Sequence, residues 1–483
     1  MKEKVNLKLL KTISDAFGGV RASTEGLREY QNFASTGGFE YSAEPGWHFY
    51  SYLKIKPKVE KDGDAGDVRR LASLYKNYTF AADMAARASR RTCHILEHQG
   101  NIIHFFFPGT DSKVEALVDF AKGLTALVET YVLGYYESDV LRFNMAAQHG
   151  QSIIIHAPSP TGEESSISIV SLGPCANYPA KRMVERIPDY ECPFSWWDGK
   201  DWQVEECHVS EEKRRVLRES YAQDSLYVQF DRVIGPDESF GEETADIRNG
   251  QRRREAFFFR ADMDGFTRRV DDAFKKNSQH ALVEEFIEYM RIAKAWQVSS
   301  PFVQVISHPW AGDCCNVEIV GTSANRFSFA DLRGSEPLGI IRDWERYVQS
   351  DDFSHFSYGK QVKWTYSIGG GVIYDFVVKT NDRQFKLSVG RPVGRTYAGV
   401  NFKENSPEWL VMHVDDVSRL PDEEKKTFHA YVGFRHPNFR YQDSGCRRQA
   451  DDAAAEVVAL AAAPSVEHGI SLVKTRPWIS EED

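Results

Sequence analysis

Residues 255–267 read Glu-Ala-Phe-Phe-Phe-Arg-Ala-Asp-Met-Asp-Gly-Phe-Thr, an aromatic run that ends on an acid and turns at a glycine. The run from Glu255 has the composition of a strand, and FTRRVDDAF after Gly265 has the spacing of an amphipathic helix. Asp262 therefore stands at a strand exit beside a helix N-terminus, whose free N–H groups favour phosphate. Two readings of the segment stand: an acid next to an anion site, or a pair, Asp262 and Asp264, that caps the helix.

Working outward, a second acid occurs 51 residues later, in Gly312-Asp313, between the apolar runs PFVQVIS and CCNVEIV. Those runs read as a hairpin, and a strand–helix–hairpin order carries its turn back to the exit of the first strand. Two carboxylates brought that close repel each other unless divalent cations lie between them. Two Mg²⁺ or Mn²⁺ ions held by two Asp and a nucleotide's phosphates make a phosphoryl-transfer site.

The N-terminal half holds a different set. In Ser171-Leu172-Gly173-Pro174-Cys175-Ala176-Asn177-Tyr178-Pro179-Ala180-Lys181-Arg182, a short helix opens at Gly173, and Asn177 and Lys181, four apart, share one face of it. Pro179 fits if the helix is just beginning there. Taken alone, an Asn near a helix start also reads as a cap. The halves lose complementary groups: Gly100-Asn101 stands where the other has Gly312-Asp313, and Gly394 stands where the other has Asn177. The opening strand YSYLKIK offers Lys54 or Lys56 but no acid at the level of Asp262.

On these motifs the sequence resembles the class III nucleotidyl cyclases, over most of residues 45–190 and 255–400. The resemblance implies an α+β fold of two ferredoxin-like domains, mostly antiparallel sheets with helices, packed as an intramolecular pseudo-heterodimer. It implies Asp262, Met263 and Asp313 on the metal side and the turn residues Asp264, Gly265, Phe266 and Thr267 against the substrate. Asn177, Lys181 and, as a near miss in register, Arg182 are the implied catalytic groups. The positions that read the base in purine-specific members hold Glu97 and Val170, so neither purine pair is intact. With WAGDCCNVEI, this is similar to the pyrimidine cyclases of bacterial anti-phage (Pycsar) defence, which make cyclic UMP or cyclic CMP for a separate effector. UTP and CTP remain alternatives. Glu97 as an acceptor leans to cytosine; a guanylate or adenylate cyclase with an unusual base pocket, and an inactive nucleotide sensor, are the rival readings.

Composition bounds the rest. The chain has 483 residues, 60 Lys and Arg against 70 Asp and Glu, and a net charge of −10, so nothing global draws it to nucleic acid or to an anionic membrane. The most apolar tract, Ala453 to Ala463, is too short to cross a bilayer, and MKEKVNLKLL lacks a signal-peptide core; the expectation is a cytoplasmic protein. Seven cysteines fit reduced thiols, and Cys192, Cys207 and His208 match no compact zinc motif. KDGDAGD lacks the closing acid of a calcium loop because Ser73 stands there, so Asp67 is expected to cap a helix running to about Cys93. Arg252, Arg253 and Arg254 read as a solvated face, and the two Phe triplets as sheet core. No GxxxxGK[ST], HExxH or GxSxG motif occurs.

The expected organisation is an N-terminal helix (Leu7 to Phe17) and lead-in over 1–40, a degenerate cyclase-like domain over 41–191, a connector over 192–250, a cyclase domain over 251–463 and a tail over 464–483. The first domain is read as a strand (Trp47 to Ile55), a helix, the hairpin CHILEHQ/IIHFFF, a helix from Ser112 to about Ala147, strands at 152–155 and 166–170, and the short helix after Gly173. The connector is given a helix (Glu211 to Gln223) and a strand (Ser225 to Phe230). The second domain is read with a helix from Gln279 to Trp296, strands at 362–368, 372–379 and 384–389, and an Ala-rich helix (Ala450 to Ala462).

Overall fold

The structure is a computed structural model that describes residues 40–55, 65–89, 91–137, 140–157, 168–208, 210–212, 215, 252–307, 312–322, 336–353, 355–380, 384–400, 409–413, 420 and 429–431. The expected helices at 7–17 and 450–462, the strand at 225–230, most of the connector, the tail and Lys56 lie outside the described residues. The chain divides into two compact units, 1–251 with 267–283 and 376–387, and 252–266 with 284–375 and 388–483.

The first sheet has seven strands: β1 (Glu40–Ile55), β2 (His94–His98), β3 (Ile102–Pro108), β4 (Val140–Ala157), β5 (Ser168–Leu172), β6 (Pro193–Trp197) and β7 (Trp202–Glu206). Their order is β2-β3-β1-β4-β6-β7, with β5 also on β4. Side chains alternate across β1, so its two faces meet different layers. On one face Phe49 packs edge-on against Phe120 of helix α2 (Glu115–Val128), with centroids 5.0 Å apart. On the same face the Ser51 hydroxyl meets the Tyr78 hydroxyl of helix α1 (Ala65–Ala88) at 2.5 Å. On the other face Tyr50 and Tyr52 pack with Ala180, Met183 and Val184, at the end of helix α3 (Pro174–Arg182) and just after it. That helix comes close to β4 because Gly150 and Gly173 carry no Cβ: one at Gly150 would lie 3.0 Å from the Cys175 Cβ, and one at Gly173 3.0 Å from the Gln151 carbonyl.

The second sheet also has seven strands: β8 (Arg252–Met263), β9 (Phe302–Ser307), β10 (Cys315–Thr322), β11 (Trp364–Lys379), β12 (Gln384–Val389), β13 (Trp409–His413) and β14 (His429–Tyr431). Its order, β14-β13-β11-β8-β10-β9 with β12 also on β11, is that of the first sheet strand for strand. Even the parallel pairs β4–β6 and β11–β13 correspond; only the outermost pair differs, antiparallel in β6–β7 and parallel in β13–β14. One face packs on helices α5 (Gln279–Ser299) and α6 (Glu336–Val348) through Phe259, Trp296 and Trp344. Asp343 joins those two helices by accepting from Trp296 Nε1 at 2.9 Å and Ser300 Oγ at 2.6 Å. The opposite face carries Ala256, Phe258 and Ile373, with Val393 of helix α8 (Arg391–Gly399) against them. Helix α4 (Phe266–Lys275) leaves the end of β8, and helix α7 (Ser357–Gln361) leads into β11.

Several sequence expectations are corrected. The helix expected to run to Ala147 ends at Val128 and passes through a π-helical turn (Glu129–Leu133) and one further turn (Gly134–Tyr136). Residues 140–151 are strand and join the expected 152–155 segment into β4, with the alternate positions Phe143, Met145 and Ala147 buried. The strands expected at 362–368 and 372–379 are one strand, β11. Residues 193–206, read as connector, extend the first sheet. Helix α1 begins at Ala65, so Asp67 lies within its first turn and is not its cap. Pro179 is the sixth residue of α3, beyond the first turn, and leaves the Cys175 carbonyl without its helical donor.

Glycine positions give opposite expected signs. Gly390 has φ +143° and a Cβ there would lie 2.5 Å from the Val372 carbonyl oxygen, so Gly390→Ala should cost about 1–3 kcal/mol. Gly123 lies inside α2 with nothing within 4 Å of an added Cβ, so Gly123→Ala should stabilise by about 0.5–1 kcal/mol. Thermal unfolding of the two variants checks this, and shifts of the same sign would contradict it.

Candidate functional site

Strand β8 pairs antiparallel with β10, with Ala261 opposite Cys315. Continuing that register by one rung sets Cys314 across from Asp262, and by a second sets Asp313 across from Met263. The two acids named from sequence thus both stand at one end of the β8–β10 pair, Asp262 in β8 and Asp313 in the turn before β10. Both are half-buried. Gly312 precedes Asp313 with φ +62°, a left-handed backbone that glycine adopts without a side-chain clash.

Tyr289 of α5 fastens this end of the sheet. Its hydroxyl lies 2.9 Å from the Asp313 carbonyl oxygen and 3.4 Å from that of Ala261, and donates its proton between them. The ring is fully buried and stacks on Phe356 at 5.3 Å. Burial raises the Tyr289 hydroxyl well above its ordinary range, so it stays a donor. Nothing in QHALVEEFIEYMRIAKAWQ separates Tyr289 from the other apolar-face residues of its helix, and sequence reasoning missed it.

The turn from β8 into α4 is held by backbone and side-chain ties. The Asp264 N–H donates to the Lys363 carbonyl at 2.9 Å, its carbonyl accepts from the Tyr358 hydroxyl at 3.2 Å, and its carboxylate accepts from Thr365 Oγ1 at 3.3 Å. Gly265 is exposed with φ +79°. Met263 and Phe266 are buried, Phe266 against Phe286 with centroids 5.6 Å apart, and Thr267 lies half-buried in the first turn of α4. Asp262 and Asp313 offer oxygen donors suited to a hard divalent cation. Among the described residues no group of three or more His, Cys, Asp or Glu is placed to hold a metal. Cys192 and Cys207 are free thiols buried at the base of the β6–β7 hairpin, and burial pushes Cys207 up to about 12.

Asn177 and Lys181 lie half-buried on α3. The Asn177 Nδ2 is buried without a hydrogen-bond partner, a donor held out of water with nothing to receive it. The neighbouring Tyr178 donates its hydroxyl proton to Asp271 Oδ2 of α4 at 2.7 Å, a contact within the first unit. Arg182 is committed elsewhere: it pairs with Glu185, and its guanidinium lies 5.7 Å from the centroid of the Trp202 ring.

Of the two positions that the resemblance assigns to the base, Val170 on β5 is buried, and Glu97 on β2 faces His104 on β3. Burial pushes the Glu97 carboxyl up to about 8. The first sheet also answers the search for an acid at the level of Asp262. With Gly100 at φ +77° matching Gly312, Asn101 takes the rung of Asp313 and Tyr52, opposite Ile102, takes that of Asp262. Tyr52 is buried among Ile102, Ala146 and Met183, so neither Lys54 nor Lys56 is the counterpart.

Tyr289→Phe deletes the proton shared by the two carbonyls. Amide exchange at residues 313–316 should quicken relative to residues 317–320, at a cost of about 1 kcal/mol in local stability. Unchanged protection would contradict the fastening role.

No protein-family model and no curated protein matches the chain. Among solved structures, a class III adenylyl cyclase-like ATP-binding protein from Pseudomonas aeruginosa aligns over 79% of this chain and 86% of its own, with a TM-score of 0.55 and 12% identity. The adenylyl cyclase CyaB from P. aeruginosa aligns over 38% of this chain and 83% of its own, with a TM-score of 0.25 and 12% identity. The guanylyl cyclase Cya2 aligns over 32% and 75%, with a TM-score of 0.24 and 14% identity. At 12% identity, the first of these alignments establishes fold: the chain has the α+β fold of a class III cyclase-like protein.

Proposed function

We propose that this protein is a nucleotide cyclase that converts UTP or CTP to the 3′,5′-cyclic nucleotide and pyrophosphate. The observation that carries the reading is the pair of acids at one end of β8–β10, set against a sheet of the same topology in which the corresponding positions hold Tyr52 and Asn101. The short helices are complementary in the other sense. Four and eight residues after Gly173 stand Asn177 and Lys181; four and eight after Gly390 stand Gly394 and Ala398. Each half retains what the other has lost, which is the expectation for one working site shared by a pseudo-heterodimer.

In this reading Asp262 and Asp313 bind two Mn²⁺ or Mg²⁺ ions, with Met263 through Thr267 forming the turn beneath the phosphates. The bound ions supply Lewis-acid activation of the ribose 3′-hydroxyl and neutralise triphosphate charge. The 3′-oxygen loses its proton to solvent and bonds to the α-phosphorus as the bond from that phosphorus to the bridging oxygen breaks, releasing pyrophosphate. Asn177, whose Nδ2 is buried and unpaired, orients the ribose, and Lys181 offsets charge growing on the α-phosphate. Arg182, tied to Glu185 and Trp202, is a positioning residue for the end of the helix.

The protein is further proposed to act in the cytoplasm as the source of a second messenger in anti-phage defence, read by a separate effector. This rests on the resemblance of WAGDCCNVEI and the degenerate base positions to the Pycsar cyclases. No described helix is long and apolar enough to cross a membrane.

Purified protein with Mn²⁺ and each ribonucleoside triphosphate in turn should release pyrophosphate from UTP or CTP. Release from a purine alone would favour a guanylate or adenylate cyclase, and release from none an inactive nucleotide-binding protein. Asp262→Asn and Asp313→Asn should each lower turnover by about a hundredfold or more while leaving the unfolding midpoint near that of the parent. A further experiment locates the site: mixing Asp262→Asn chains with Asn177→Ala chains should not restore activity, and recovery would mean that the groups act between chains.

A further inference from the structure

Helix α3, which carries Asn177 and Lys181, is weakly held by its own backbone. Pro179 denies the Cys175 carbonyl its helical donor, and no side chain caps the N-terminus at Gly173. Its placement therefore comes from ties to its neighbours. At the start, Cys175 Sγ donates to the Gln151 carbonyl of β4 at 3.0 Å. Just past the end, Met183 and Val184 pack against Tyr50 and Tyr52 of β1. The third tie is Tyr178, in the middle of the helix, which donates its hydroxyl proton to Asp271 Oδ2 of α4 at 2.7 Å.

Three features set this bond apart from an incidental surface contact. Asp271 Oδ1 is buried without a hydrogen-bond partner, so among the described residues the bond from Tyr178 is the one its carboxylate receives. Asp271 is the sixth residue of α4, the helix that follows the turn after Asp262, so the helix bearing Asn177 and Lys181 is bonded to the helix that leaves that turn. The duplicated half supplies the third feature: five residues after Gly173 stands Tyr178, whereas five after Gly390 stands a buried arginine, Arg395. The half that lacks the amide and the ammonium lacks the tyrosine as well. Successive residues of a helix point about 100° apart, so Tyr178 holds α3 without occupying the face shared by Asn177 and Lys181. The Asp271 bond raises the Tyr178 hydroxyl above its ordinary range, and it stays a donor at pH 7.

We propose that Tyr178 is a positioning residue: its bond to Asp271 fixes the rotation of α3, and with it the direction in which Asn177 and Lys181 meet the nucleotide. This rests on the cyclase reading. An orienting amide and a charge-offsetting ammonium contribute only when both stand close to their working places, and a misplacement of about 1 Å costs up to about a hundredfold in rate. Tyr178 is exposed, so losing its hydroxyl removes orientation while leaving the core intact.

Tyr178→Phe and Asp271→Ala, measured on the full chain with Mn²⁺ and the triphosphate it turns over, should each lower kcat about tenfold, with KM changed by less than about twofold and the unfolding midpoint near that of the parent. The double variant should fall no further than either single one, because both remove the same bond. Asp271→Asn keeps an acceptor oxygen and should retain most of the parent's turnover. Amide exchange in residues 174–183 should quicken by about threefold or more in both single variants while β4 keeps its protection, a readout that needs no reaction. Parental kcat in Tyr178→Phe, losses that multiply in the double variant, or unchanged exchange in α3 would overturn the proposal. A parent chain that turns over no triphosphate would remove the cyclase reading and the catalytic consequence of the bond with it, while faster exchange in both variants would still establish that the bond holds α3.

Discussion

The register of β8 against β10 fixes both the aromatic layer behind the sheet and the strand end at which Asp262 and Asp313 stand. A slip of one residue would send every side chain of β8 to the opposite face, taking Asp262 from its rung and Phe259 from the Trp296–Trp344 layer together. The apolar layer therefore enforces the polar geometry. Phe259 cannot leave its aromatic neighbours without a loss of several kcal/mol. Tyr289 adds a direct lock, since one hydroxyl spans the carbonyls of Ala261 and Asp313 on the two strands.

The duplicated topology shows how the same scaffold accommodates different chemistry. In the first sheet the rung of Asp262 is filled by Tyr52, which packs into the core beneath Met183 and Val184. In the second, the helix after Gly390 has neither the amide nor the ammonium of its counterpart, and Arg260 instead lies 4.8 Å from the centroid of the Tyr397 ring. Replacing a charged end by an aromatic one exchanges a desolvation cost for apolar burial.

What the sequence made legible was local. The exit of β8 at Asp262, the turn at Gly100-Asn101 and the helix after Gly173 each follow from glycine position and alternation over a few residues. The element most in error was the stretch after Val128, where VETYVLGYYESDVLRFNMAAQ offers apolar residues at both helical and strand spacing. Only the pairing of β4 with β1 decides it. Strands β6 and β7 escaped notice because Trp196, Trp197 and Trp202 resemble a surface linker until β4 supplies an edge for them. Helices α6 and α8 were also missed. At the site, Asp262 and Asp313 were readable as acids beside turns, whereas Tyr52, Tyr178 and Tyr289 take their meaning from residues tens of positions away.

The π-helical turn over Glu129–Leu133 accommodates one residue more than regular α-helical winding would. It sets the phase of the next turn: Tyr136 points inward and is fully buried, while Tyr135 beside it is 45% exposed. Loss of a single residue from the π-helical stretch would rewind the segment and rotate its C-terminal side by about 100°. The two tyrosines would then compete for one pocket, and the entry of the chain into β4 would be turned by the same angle. Length variation at this point is therefore coupled to the orientation of the central strands, so the segment tolerates substitution far better than insertion or deletion.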